Sequence, residues 1–217
     1  MQCSKILQTY TFILKAKHMR IIVIGGTGTI GKAVVNELKP RHELITAGRK
    51  HGDVQVDIEN PASIEKMYQS VGKFDAVIAT TGKVHFADFT DMTTENYFVG
   101  LNNKLMGQVN LVLIGSRYIN ERGSFTLTSG ILSHDPIRAG SSASMVNGAL
   151  DSFVKAAAIE MTKDVRINSV SPTVLVESLA DYGDFFRGFE PAPAARVALA
   201  YSKSVEGLQT GQIYTVF

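Results

Sequence analysis

Arg20-Ile21-Ile22-Val23-Ile24-Gly25-Gly26-Thr27-Gly28-Thr29-Ile30-Gly31-Lys32-Ala33-Val34-Val35 decides how this chain folds. The apolar run Ile21 to Ile24, rich in β-branched side chains, suits a parallel strand buried on both faces. Glycines at 25, 28 and 31 break that strand, and Ile30, Ala33, Val34 and Leu38 then recur at helical spacing. A strand, a glycine loop and a helix in this order bring backbone N–H groups to the positive end of the helix, where a pyrophosphate is held well. The first expectation is a dinucleotide site built from Gly25, Thr27, Gly28, Thr29, Ile30 and Gly31.

Outward from this unit, Pro40 closes the first helix. Glu43 to Ala47 reads as a second strand ending on Gly48-Arg49-Lys50, and residues 53–57 as a short third one. Asn60-Pro61 gives a good N-cap with proline at the first helical position. Ala76 to Ala79 is a fourth strand running into Thr80-Thr81-Gly82. A long helix is expected from Thr94 to Ile119, a fifth strand from Ser124 to Thr128, and a second long helix from Ser142 to Thr162. Arg166 to Val170 is a sixth strand leading into Ser171-Pro172. A short helix from Ala194 to Ser202 and a strand from Gln212 to Val216 complete the chain. This alternation predicts one α/β domain with a Rossmann fold, a doubly wound parallel β-sheet of about seven strands flanked by helices. The clusters of small residues all fall at carboxyl ends of strands, the ligand side of such a sheet.

The 217 residues are 45% hydrophobic, enough for one sizeable core. A net charge of +2 with no run of Lys or Arg argues against a nucleic-acid surface. Cys3 is the only cysteine, which excludes a disulfide framework and fits a reducing, cytoplasmic setting. No apolar run reaches the roughly 18 residues of a membrane helix, and the five histidines show no metal-ligand spacing. Residues 1–18 precede Met19 and read as an extension outside the fold, which leaves 19–217 as the dinucleotide-binding domain.

The tip of the second strand sets the nucleotide. An NAD site wants a carboxylate there for the ribose hydroxyls. Here Arg49 and Lys50 offer a planar fork and a second cation for a 2′-phosphate. NADP (NADPH) is therefore expected in preference to NAD.

With these pieces in place, the chain from Met19 to Phe217 resembles a short-chain dehydrogenase/reductase. The resemblance rests on Gly25-Gly26-Thr27-Gly28-Thr29-Ile30-Gly31, Val56-Asp57-Ile58, Ala79-Thr80-Thr81-Gly82, Arg166-Ile167-Asn168-Ser169-Val170-Ser171-Pro172 and Thr210-Gly211-Gln212. It implies that Asp57 bonds the adenine amine and Ile58 packs on its ring. Thr80, Thr81 and Gly82 would meet the adenosine ribose, and the segment carrying Pro172 and Val174 would lie against the nicotinamide. It also implies a homodimer or homotetramer through the two long helices, with Met106, Val109, Leu113, Met145, Val146 and Phe153 as apolar candidates.

The resemblance fails at the reaction centre. The family's tyrosine position falls on Ala143 and its lysine on Asn147. Its serine falls on Gly130 with Ser129 beside it, and its helix asparagine on Lys104, or on Asn103 with a shift of one residue. Ala143 cannot hold a proton, so the usual donor is missing. Candidates to replace it are Lys104, His134 and Ser129, with Lys83, His85 and Tyr182 on the same edge. Ser141, Ser142 and Ser144 are expected to cap a helix rather than to act as nucleophiles. Three readings follow: an NADP-dependent oxidoreductase acting on a small carbonyl or alcohol with a non-standard site, a non-catalytic NADP(H)-binding sensor or regulatory subunit, or an epimerase- or dehydratase-like enzyme that retains its cofactor.

Overall fold

The structure, a computed structural model, describes residues 18–217, so the expectation for the first seventeen residues lies outside it. Seven strands form one parallel sheet in the order β3-β2-β1-β4-β5-β6-β7. They are β1 (Arg20–Ile24), β2 (Glu43–Gly48), β3 (Val54–Gln55), β4 (Phe74–Ala79), β5 (Ile119–Thr128), β6 (Arg166–Pro172) and β7 (Ile213–Val216). The helices are α1 (Thr29–Leu38), α2 (Pro61–Val71), α3 (Thr94–Val99), α4 (Gly107–Gly115), α5 (Ser141–Glu160), α6 (Leu179–Tyr182) and α7 (Ala194–Glu206). Ile21 to Ile24 are fully buried because helices cover both faces of the sheet. Ile22 and Ile24 join one core with Ile64, Tyr68, Phe125 and Leu150. Ile21 and Val23 join the other, with Val34, Leu38, Val197 and Tyr201.

Several expected boundaries move. The helix expected from Thr94 to Ile119 stops at Gly115, and β5 already begins at Ile119. A side chain at Gly115 would meet Phe125 and Tyr68 at 2.9 Å, so the helix end is clamped onto the sheet. Between α3 and α4 lies a π-helical turn, Gly100–Met106. The Asn60 cap forms as expected, its side chain accepting from the N–H groups of Ala62 and Ser63. The serine caps do not form. Gly140 occupies the N-cap of α5 without a side-chain bond, Ser141 pairs with the Tyr97 hydroxyl, and the Ser142 and Ser144 hydroxyls are buried without partners.

Strand order reverses between β1 and β4, which opens a crevice at their carboxyl ends. Thr80 closes its floor, donating to the Ile24 carbonyl from both N–H and Oγ1 at 2.9 Å.

Candidate functional site

The glycine loop sits at this crevice and is shaped by close approach. A Cβ at Gly31 would stand 2.1 Å from the Gly25 carbonyl oxygen, and one at Gly25, where φ is +80°, would stand 2.8 Å from that of Thr80. Gly28 differs. It is exposed at the N-cap of α1, makes no side-chain cap, and faces open space beyond the Gly25 carbonyl at 3.3 Å. The first-turn N–H groups of α1 therefore lack a side-chain cap beside a surface that a phosphate can approach.

Two hollows flank this loop and share Thr81. One, of about 300 Å³, lies between the ends of β1 and β2 and is lined by Gly48, Arg49, Lys50, Asp57 and Ile58. The Arg49 guanidinium pairs with the Asp57 carboxylate at 3.0 Å across its mouth. Asp57 also accepts from the Glu59 N–H at 3.1 Å. Ile58 is buried against Gly107, where any side chain would collide with it. A hollow at each end of an uncapped glycine loop fits an elongated dinucleotide.

The second hollow, of about 270 Å³, is walled by Val84, Phe86, Ile131, Leu132, Val174 and Phe186. Its polar lining includes Thr80, Lys104, Ser129 and Asn147, while Pro172 and Ala143 lie on its surface. The structure thus gathers Lys104 and Ser129 with Thr81, Gly82, Pro172 and Val174. It leaves His134 exposed outside this lining, bonded through Nδ1 to Ser133 at 2.7 Å. Tyr182 packs at the rim against Phe86, ring centres 6.1 Å apart. A larger hollow of about 710 Å³ opens near Met19 and Arg166, at the amino ends of β1 and β6, which is the wrong edge for a ligand of this sheet.

The π turn resolves which residue of the helix enters the site. Asn103 accepts from the Lys83 N–H, donates to Glu59 and lines the first hollow, outside the second. Lys104 enters it, and its Nζ donates to the Ser129 carbonyl at 2.9 Å. Gly82 makes room for the lysine stem, since a Cβ there would lie 2.6 Å from Lys104 Cγ. Lys104 lies deep in the protein, although the residue keeps some open surface. Desolvation pulls its ammonium down to about 8, opposed by the Asp151 carboxylate nearby.

Asn147 stands where the resemblance expects a lysine. Its amide nitrogen would be 3.0 Å from a Cβ at Gly130, and its Oδ1 is buried without a partner. Ser129 is buried, its hydroxyl accepting from Ser169 at 3.1 Å. Three residues of this neighbourhood were not expected. Gln108 clamps the end of β5 through both Thr128 backbone groups. Tyr201 reaches Thr128 Oγ1 at 2.6 Å from behind the strand, and burial pushes its phenol up, away from acid chemistry at neutral pH. Asp151 lies one helical turn after Asn147 on α5, and nothing in that spacing singles it out. Among the described residues no group of three His, Cys, Asp or Glu is placed to hold a metal, and no helix is long and apolar enough to cross a membrane.

Comparison with known proteins agrees with this architecture. The sequence profile described as Enoyl-(Acyl carrier protein) reductase matches residues 25–208. The protein lin1944 from Listeria innocua is 53% identical with a TM-score of 0.91, covering 92% of this chain and all of that one. A small-chain dehydrogenase in complex with NADPH is 24% identical with a TM-score of 0.82, covering 92% and 97% of the two chains, a likeness of fold. A tropinone reductase homolog from Datura stramonium is 22% identical over 92% of this chain and 91% of its own. A match over nearly the whole described domain, on a seven-stranded sheet with the glycine loop at its switch point, means that the chain belongs to the short-chain dehydrogenase/reductase family of oxidoreductases, which bind a nicotinamide cofactor.

Proposed function

We propose that the chain is an NADPH-dependent reductase of small carbonyl compounds in which Lys104 takes the place of the missing tyrosine. The observation that carries this reading is the Lys104 ammonium in the apolar-walled hollow beside Ala143 and Asn147. When bound, NADPH supplies the two-electron reduction of the substrate carbonyl. Gly25, Thr27, Gly28, Thr29, Ile30 and Gly31 hold its pyrophosphate, and Thr80, Thr81 and Gly82 its adenosine ribose. Asp57 and Ile58 take the adenine, and Pro172 and Val174 the nicotinamide side. Lys104 holds a proton at Nζ and gives it to the substrate oxygen, so the carbonyl leaves as an alcohol and the amine is left neutral. The Ser129 carbonyl keeps Nζ on the floor of the hollow, and the walls of Val84, Phe86, Leu132 and Phe186 favour a small aliphatic or aromatic substrate.

A direct NADPH titration beside NADPH oxidation over a panel of small aldehydes and ketones tests the reading. Binding together with turnover is expected. Tight binding with no turnover across the panel would instead favour a non-catalytic NADP(H) sensor, for which Ala143 and Asn147 speak.

For the cofactor, Arg49 and Lys50 are the 2′-phosphate ligands in this reading. The exposed Arg49 exchanges its Asp57 partner for the phosphate, which frees Asp57 to meet the adenine. Arg49→Asp is expected to weaken NADPH binding by roughly tenfold or more, with NADH little changed, because a carboxylate repels the 2′-phosphate. An unchanged preference in competitive titrations would reject that assignment.

The protein acts in the cytoplasm as a homodimer or homotetramer. Met106 at the end of the π turn, Leu113 on α4 and Met145 on α5 leave 42%, 58% and 42% of their surface open, whereas Val146 is buried and drops out of that face.

A further inference from the structure

Lys104 brings a primary amine to a hollow walled by Val84, Phe86, Leu132 and Phe186. Among the described residues its Nζ donates to the Ser129 carbonyl at 2.9 Å and forms no ion pair. An ammonium in such a hollow loses water without gaining a carboxylate, which favours the neutral amine. One N–H is spent on Ser129, so the lone pair of the neutral form is left free. Two buried polar atoms of the same hollow also lack partners. Asn147 is 3% and Thr173 4% exposed, both line it, and Asn147 Oδ1 and Thr173 Oγ1 have no hydrogen bond. Unpaired polar atoms are costly to bury, and these two suit an adduct that brings N–H or O–H groups.

We propose that Lys104 is also a covalent capture site for small aldehydes, which it holds in the hollow as an imine on Nζ. The proposal rests on the reading that this hollow admits small carbonyl compounds, and not on Lys104 as their proton donor. The lone pair of the neutral amine forms the N–C bond while the carbonyl π pair moves to oxygen. One nitrogen proton passes to that oxygen, which gives a carbinolamine. The nitrogen lone pair then forms the C=N bond, the C–OH bond breaks, and the hydroxyl leaves with the second nitrogen proton as water. One amine and one aldehyde thus give one imine and one water, with no oxidant or reductant. The carbinolamine hydroxyl is a donor of the kind that Asn147 Oδ1 and Thr173 Oγ1 lack.

The charged surroundings leave the amine available. Asp151 on α5 favours the ammonium and so opposes capture, but burial outweighs it and holds the group at about 8. Lys83 after β4, Glu59 beyond Asn103, and His134 and Asp135 after β5 lie outside the lining of the hollow. At pH 7.5 the Lys104 amine is then roughly a quarter neutral, against about 0.1% for a solvated lysine. Gly82 adds room for the stem that carries it.

The test is reductive trapping on the cofactor-free full chain. Propanal with sodium cyanoborohydride at pH 7.5 converts an imine to a stable propyl amine, and peptide mass mapping reads the rate at each lysine. Lys104 should be alkylated roughly tenfold or more faster than the exposed Lys39, Lys50 and Lys163. Without the reductant the adduct should be lost when propanal is removed, because an imine hydrolyses. Lys104→Arg should lose the fast adduct while the three exposed lysines react as before. Labelling of Lys104 no faster than that of the exposed lysines, or an adduct that persists unreduced, would overturn the capture site. Trapping needs no turnover, so the two roles of Lys104 fail separately. Fast alkylation with full NADPH oxidation in Lys104→Met would keep the imine and overturn the proton donor. Slow alkylation with lost oxidation in that variant would do the reverse.

Discussion

Replacing Lys104 by methionine is expected to lower carbonyl reduction by ~10²–10⁴-fold, the usual contribution of a positioned general acid. The NADPH dissociation constant should stay within a few fold, because the proposed ligands of the nucleotide lie around Gly28, Arg49 and Thr81. The pH dependence follows from the ammonium being held at about 8 by burial, below its ordinary 10.5. As the acid, Lys104 must be protonated, so reduction in the wild type should fall as pH rises through about 8. Alcohol oxidation, which needs the neutral amine, should rise over the same interval. Methionine should erase both limbs.

Stability should move the other way. At pH 7 the lysine is charged in both folded and unfolded chains, and the folded state bears the full desolvation cost. Between about pH 8 and 10.5 the unfolded chain binds more protons than the folded one, so wild-type stability gains with pH. The shift corresponds to on the order of 3 kcal/mol, with the opposing attraction of Asp151 already contained in it. Denaturant melts of wild type and Lys104→Met at pH 7 and pH 10 should therefore converge or cross toward the wild type at the higher pH. Parallel stabilities at both values, or undiminished turnover in the variant, would refute the role given to this residue.

The fold was legible because its signals are local. Ile21 to Ile24, the Asn60-Pro61 cap and the small residues after each strand dictate elements without knowledge of their neighbours. The long-helix error has a tertiary cause. Leu111 to Ile114 carry an apolar pattern up to Gly115, and the packing of Gly115 on Phe125 and Tyr68 ends the helix there. The π turn is equally hidden, since one shifted hydrogen-bond register leaves no mark in composition. It nevertheless decides between Lys104 and Asn103. Asp151 carries an ordinary aspartate's signature on a helix, and only its burial and its bond to Ser133 set it apart. His134 was legible as a titratable group near the site. Its exposed position outside the hollow's lining was not.

Gly28 and Gly31 should separate cofactor binding from folding with a pair of single methyl groups. In Gly31→Ala the new carbon would stand 2.1 Å from the Gly25 carbonyl oxygen and 2.7 Å from Gly26 Cα. Both are backbone atoms of the same tight loop, so relief requires the loop to open. That opening breaks the approach of α1 to β1, and a loss of roughly 1–3 kcal/mol is expected, the range for overpacking a rigid site. Dinucleotide affinity should fall with it by ~100-fold, since the N–H groups no longer converge.

Gly28→Ala meets only the Gly25 carbonyl, at 3.3 Å, and its φ of −77° and ψ of 177° are open to alanine. The melting temperature should therefore barely change. The methyl group nevertheless projects from an exposed position at the helix N-terminus, where a pyrophosphate must approach the backbone, so NADPH binding should still weaken at least tenfold. The comparison discriminates because a glycine loop serving only as a strand–helix turn predicts a different pair of results. Gly31→Ala would then destabilise the protein as before, while Gly28→Ala would leave both stability and NADPH affinity intact. Titration calorimetry and thermal melts on the two variants read out the difference, and intact binding in Gly28→Ala would move the nucleotide away from this loop.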